Sequence, residues 1–229
     1  MPKPSTLCKF TGLMLFTAQA AIAQPFMGVE LGHERLLFEP SYVQHNTPPA
    51  PPEKSRYEDR ASGTRASLLV GTETMMGKDF SVAVQGRISV SNSDWTANIL
   101  EGPDGNKEIS RFRYDIPFNI AVTVLPTYHV SPKVALFAET GVALGQIRER
   151  RISRAPTGYD ETSWRPGLVA GLGMLYKLDE QWSVRLGYQA TWYRKDEFDA
   201  NRSDTLVGTE TMTSRVRQTV TTLGLIRKF

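Results

Sequence analysis

After Ala23 the chain holds no apolar run long enough to cross a bilayer as a helix, which takes about 20 consecutive apolar residues. Instead it repeats, eight times, an alternation of apolar residues with polar, charged or glycine residues. Side chains of a strand point alternately to its two faces, so this period of two marks strands with one apolar and one polar face. The stretch Trp182 to Trp192 is the clearest, with Trp182, Val184, Leu186, Tyr188, Ala190 and Trp192 set against Ser183, Arg185, Gly187, Gln189 and Thr191. The other seven run over about 26–36, 64–76, 80–90, 111–130, 134–148, 164–178 and 216–229. The last reaches Phe229 still alternating, and closing it onto the first strand pairs both without leaving an open edge. The pattern therefore predicts an all-β fold, an eight-stranded antiparallel up-and-down barrel.

The connections alternate between long and short. Three short ones, Gly77-Lys-Asp79, Ser131-Pro-Lys133 and Asp179-Glu-Gln181, keep the parity of the alternation if Met76 meets Phe80, Val130 meets Val134 and Leu178 meets Trp182. The other four are expected to be loops: Thr47 to Gly63 is rich in proline and charge, 92–110 carries Gly102-Pro-Asp-Gly105, 148–161 is charged, and 196–204 is polar. One trimmed and one elaborated end is the form of a transmembrane barrel. Aromatic residues sort by height in the same frame, with Phe80, Tyr128, Tyr176, Trp182 and Phe229 facing outward at the short-turn end. Phe112, Tyr114, Trp164 and Trp192 do so at the long-loop end, which makes two interfacial girdles. The opposite face carries Glu30, Glu73, Arg87, Glu139, Lys177 and Arg185, expected to form a lumen network. Turned toward lipid, an arginine near the midplane would cost about 2 to 4 kcal/mol, so the charged face must point inward.

Residues 1–23 read as a cleaved export signal: Lys3 and Lys9, a mostly apolar stretch from Phe10 to Ala20, then Ala21-Ile22-Ala23. Residues 24–229 then form one barrel domain. The single cysteine, Cys8, lies in the signal, leaving no disulfide or thiolate metal site afterwards. Loss of the two lysines lowers the formal net charge from +3 to +1, which removes the compositional case for nucleic-acid binding.

The ending Thr222-x-Gly224-x-x-Arg227-x-Phe229 is similar to the C-terminal assembly signal of the small eight-stranded outer-membrane barrels of Gram-negative bacteria, the family of the OmpA transmembrane domain and OmpX. Arg227 departs from that pattern, which places an apolar residue there. The glycine-rich alternation over 167–177 and 185–194 also resembles the family. The resemblance implies the outer membrane as location, Thr222, Gly224 and Phe229 as assembly signal, and the barrel-assembly machinery and periplasmic chaperones as partners. It names no substrate.

Chemistry is sparse. Glu30, Glu73, Glu139, Arg87, Arg185 and Lys177 fit a salt-bridged plug, since unpaired buried charges are costly; the sharper alternative is a narrow porin-like channel gated by these pairs. His129-Val-Ser131 places histidine and serine on one strand face, like the His-x-Ser pair of outer-membrane lipid A deacylases, but at the short-turn end, where ordinary interface residues also account for it. His33, His45 and His129 lie on separate segments, so neither metal nor cofactor is expected. Arg148, Arg150, Arg151 and Arg154 are either a solvated loop base or a contact for lipopolysaccharide phosphates or host glycans. Val70 to Met75 recurs as Val207 to Met212, and the second copy is expected to extend the last strand above the membrane. The reading that follows is a non-enzymatic outer-membrane barrel for envelope integrity or surface interaction and adhesion. The alternatives are the narrow channel and, from the histidine and serine, a lipid A-modifying enzyme.

Overall fold

The computed structural model describes residues 23–45, 53–56, 59–101, 107–153, 159–199 and 209–229, built of strands and turns. The strands are β1 (Gln24–His45), β2 (Glu53–Arg56), β3 (Asp59–Met75), β4 (Phe80–Ser91), β5 (Asp94–Glu101), β6 (Lys107–His129), β7 (Val134–Ser153), β8 (Tyr159–Lys177), β9 (Trp182–Tyr193), β10 (Asp196–Asp199) and β11 (Thr209–Lys228). Eight of them, β1, β3, β4, β6, β7, β8, β9 and β11, pair antiparallel each with the next, and β11 returns to β1 from Phe26↔Lys228 to His45↔Thr209. The sheet is closed. Short strands β2, β5 and β10 pair with β1, β6 and β11 at the long-loop end.

The register fixes the barrel's geometry. Following the paired row from Phe80 through Tyr128, Leu136, Met174, Leu186, Leu223, Leu31 and Ala66 returns the path to β4 at Val90, ten residues from its start. A stagger of that size tilts the strands by about 40° from the barrel axis. The row is apolar and faces outward. Leu31, Leu68, Val84, Val122, Leu172 and Leu223 stand in the same exposed band, the signature of a wall that meets lipid rather than water.

Two short turns close as the alternation predicts: Met76 N–H donates to Phe80 O at 2.9 Å and Leu178 N–H to Trp182 O at 2.9 Å. The third is tighter. Ser131 and Val134 exchange both backbone bonds, at 3.1 and 3.3 Å, so Ser131 replaces Val130 as the bonded partner of Val134. Pro132 suits this, because its fixed φ favours the first central position of a β-turn.

Above the barrel the strands run on where loops were expected. β5 pairs with β6 over much of the second long connection, and Arg150 and Arg151 on β7 face Asp160 and Tyr159 on β8. The ladder continues there after the apolar alternation that signals a strand has ended. Residues 209–212 of the repeated segment do extend β11, opposite Tyr42 to His45.

One parity prediction fails. Tyr114 is 3% exposed and Ile116 1%, both inside the barrel, whereas alternation through β6 places them outside. The register between β6 and β7 shifts between Asp115 and Phe118, and Pro117 lies in that irregularity. A bulge shifts side-chain parity by one, and proline, which cannot donate to the ladder, is tolerated at such a site.

Candidate functional site: a sealed lumen and an outer rim

The interior is layered. At the short-turn end Lys228 pairs with Glu73, Ser81 Oγ donates to Glu73 Oε1 at 2.5 Å, and His129 Nε2 lies 3.0 Å from Ser81 Oγ. Next comes an apolar collar of Phe26, Leu69, Ala83, Leu125, Phe137 and Ile226. It surrounds a cavity of about 30 Å³, enough for a water or two.

The centre is a ring of two carboxylates and two guanidiniums. Arg87 Nη2 meets Glu139 Oε1 at 2.5 Å, Arg185 Nη2 meets Glu139 Oε2 at 3.1 Å, and Arg185 Nε meets Glu30 Oε1 at 3.1 Å. Arg87 Nε lies 3.8 Å from Glu30 Oε2, too far for a hydrogen bond but close enough for attraction. Gln85 accepts from Arg185 Nη1 at 2.6 Å, and Gln189 accepts from Arg87. Arg185 also stacks over the Phe137 ring at 4.4 Å, tying the ring of charges to the collar beneath.

A second polar layer follows. Glu34 accepts from Ser91 at 2.9 Å, from Ser93 and from Gln218 at 2.8 Å, and Tyr193 links Asn119 (2.6 Å) to Gln218 (2.9 Å). Arg65 donates to Ser89 at 2.7 Å in the same layer. Sequence reasoning missed Glu34 and Arg65, although each continues an inward parity already assigned, Glu30 through Gly32 and Glu73 through Ser67. A cap of Leu36, Phe38, Ala61, Tyr114, Ile116, Ile147, Tyr193 and Val216 then closes the outer end. These apolar layers were not visible as such, because the same residue types face lipid elsewhere.

Of the six predicted lumen charges, Glu30, Glu73, Arg87, Glu139 and Arg185 are buried. Lys177 is not. It is exposed beside the Asp179 turn, where the strand leaves the barrel, and Lys228 takes the position opposite Glu73. Among the girdle residues Phe80, Tyr128, Tyr176, Phe229, Trp164 and Trp192 are exposed on the wall and Trp182 is half-buried. Tyr114 belongs instead to the inner cap, and the side chain of Phe112 lies outside the described residues.

In the C-terminal motif, Gly224 faces Glu30 across the β1–β11 seam, where a Cβ would come within 2.6 Å of Glu30 Cγ and 2.8 Å of Val29 O. The glycine thus makes room for a carboxylate of the central ring. Thr222 is buried on the inward face, and Phe229 N–H donates to Pro25 O at 3.0 Å. Arg227 lies over Trp182 and Phe229 at 5.5 and 5.1 Å, so its outward guanidinium is held between two girdle aromatics.

The remaining candidates separate. Ser131 Oγ accepts from the backbone N–H groups of Lys133 and Val134 at 3.3 and 3.1 Å, which makes it a turn cap, while His129 turns to Ser81 and Glu73. Among the described residues no His, Asp and Glu side chains gather as a metal site would. Arg150 is committed to Asp160 at 2.9 Å, and Arg148 stands opposite Asp115, whose carboxyl burial pushes above its ordinary range against the pull of Arg148, Arg113 and Arg150. The side chain of Arg151, and Arg154 altogether, lie outside the described residues.

A closed eight-stranded barrel with a lipid-facing wall, a filled interior and strands prolonged at one end defines a small outer-membrane barrel. The sequence profile of the OmpA-like transmembrane domain matches residues 107–229, and the chain belongs to that family. Among solved structures it is similar to OprG of Pseudomonas aeruginosa (TM-score 0.52, 13% identity, covering 90% of this chain and 96% of that one). Neisserial surface protein A gives a TM-score of 0.50 at 13% identity, covering 90% and 97%. The Escherichia coli outer membrane protease OmpT gives 0.50 at 8% identity, covering 89% and 97%. At these identities the likeness is one of fold. No curated protein matches the sequence.

Proposed function

We propose that the protein is a non-conducting, non-enzymatic barrel that works through its extracellular end, in envelope integrity or in surface interaction and adhesion. The observation that carries this reading is the double closure of the lumen, by the Phe26 to Ile226 collar below and the Leu36 to Val216 cap above. Ions crossing it would have to pass two apolar constrictions, the lower with room for no more than a water or two, and an unpaired charge is costly in such surroundings. Between them Glu30, Arg87, Glu139 and Arg185 engage one another, and Glu34 and Arg65 are held by neutral hydrogen-bond partners. Meanwhile β1, β6, β7, β8 and β11 run on beyond the outer girdle and give that end its surface. Export would use residues 1–23 as a cleaved signal, with periplasmic chaperones and the barrel-assembly machinery as partners on the way and outer-membrane lipid and lipopolysaccharide at the destination.

Planar-bilayer recording tests the reading. Neither the wild type nor Arg185→Ala is expected to open channels, and reproducible unitary steps from the wild type would overturn it. Replacing the β5–β6 hairpin above the membrane by a short turn is expected to abolish binding to host matrix while leaving a heat-modifiable barrel.

A further inference from the structure

Outward parity continues above the outer girdle on four adjacent strands, and there it presents arginine. Arg60 on β3, Arg35 on β1, Arg217 and Arg215 on β11, and Arg194 directly after β9 are all exposed. Register brings them together: Leu37 faces Arg60 on one side and Arg217 on the other, Arg217 faces Trp192, and Arg215 faces Glu39. With a stagger of ten residues around eight strands, each step to the next strand climbs little more than one residue. Trp192 and the five arginines therefore occupy one band, about 9 Å tall, resting on the girdle.

Arg215 has Glu39 at 4.0 Å and Arg60 has a partner of its own, but the centre of the band is not neutralised: among the described residues Arg35, Arg194 and Arg217 form no ion pair. Arg217 lies over the Trp192 ring at 5.3 Å, a stack that leaves the edge of its guanidinium free to donate. The opposite wall differs. There Arg113 pairs with Asp94 at 3.2 Å and Arg150 with Asp160 at 2.9 Å. Guanidiniums crowded beside hydrocarbon need anions at their own height, and at the level just above an aromatic girdle the anions are lipid headgroups.

We infer that the outer wall of β9, β11, β1 and β3 is a binding surface for the phosphate groups of an outer-leaflet glycolipid, with Arg35 and Arg217 at its centre and Trp192 as its floor. The inference rests on the reading of the extracellular end as the working surface and deepens it. The band lies at the membrane edge rather than on the hairpin tips, which favours a lipid over a soluble polyanion. Planar guanidiniums suit phosphate because they bind it in a two-pronged fashion.

The test uses the full-length barrel, refolded in nanodiscs, with bisphosphorylated lipid A and its dephosphorylated form as probes. Binding of the bisphosphorylated lipid is expected to raise the temperature at which the barrel loses heat-modifiability, and the dephosphorylated lipid to raise it less. Each of Arg35→Gln and Arg217→Gln is expected to weaken binding of the bisphosphorylated lipid about tenfold. Arg113→Gln on the paired wall should leave it unchanged. A folded gel shift of each variant in dephosphorylated lipid separates lost binding from lost folding. Equal binding of the two lipids, or no loss in the Arg35 and Arg217 variants, would overturn the inference, as would binding of heparin through these arginines with indifference to lipid A. Conductance, which would end the functional reading, is measured separately.

Discussion

Arg185 and Arg217 stand on neighbouring strands of one wall, each with its guanidinium over an aromatic ring, Phe137 in one case and Trp192 in the other. They differ in who supplies the counter-charge. Arg185 points into the lumen, is 3% exposed, and has Glu30 and Glu139 as fixed partners. Arg217 points outward and leaves its partner to the surroundings. An inward arginine is therefore part of the fold, while an outward one is part of the protein's relation to its membrane.

That contrast is easiest to break from the inside. Arg185→Ala leaves Glu30 and Glu139 facing Arg87 alone, and removing one member of a buried ion network costs about 3 to 5 kcal/mol. The expected result is a large fall in the urea midpoint of the barrel in detergent; a fall no larger than that of an outward arginine would erase the distinction. A smaller effect is expected from Gly224→Ala, which thickens the wall where Glu30 passes it. Overpacking of this kind costs about 1 to 3 kcal/mol, and slower folding in lipid vesicles should accompany the loss. The smallest belongs to Arg217→Ala in detergent, where only the stack on Trp192 is lost, about 0.5 to 1 kcal/mol. If Arg217→Ala proves as damaging in detergent as Arg185→Ala, the outward arginine is structural after all.

Where one face meets lipid and the other a packed lumen, the sequence is forced into alternation, and the barrel strands, two of the short turns and five of the six lumen charges could be read from it. Legibility ends where that force ends. Above the girdle the two-faced alternation stops, so nothing in composition separates β5 and β10 from loop. Tyr114 went to the wrong side because parity was carried through Asp115 to Phe118, and Pro117 was the available warning. Lys177 kept its parity but lies one residue from the turn, where inward no longer means buried. The arginine band was hidden for another reason: its members are scattered at 35, 60, 194, 215 and 217, and only the stagger of the closed sheet gathers them. A run such as Arg148 to Arg154 attracts attention in a sequence, yet there Arg150 already has its acid.

Glu30 comes from the first strand, whereas Arg87, Glu139 and Arg185 come from β4, β7 and β9. A sheet whose β1–β11 seam is still open keeps Arg185, on β9, apart from Glu30, on β1, and leaves that guanidinium one carboxylate instead of two. Closing the seam brings Glu30 to Arg185 and β1 to β11 in one movement, past the space that Gly224 leaves. Joining the first and last strands is thus also the step that completes the central ring of charges, so an unclosed cylinder is disfavoured by electrostatics as well as by its unpaired backbone.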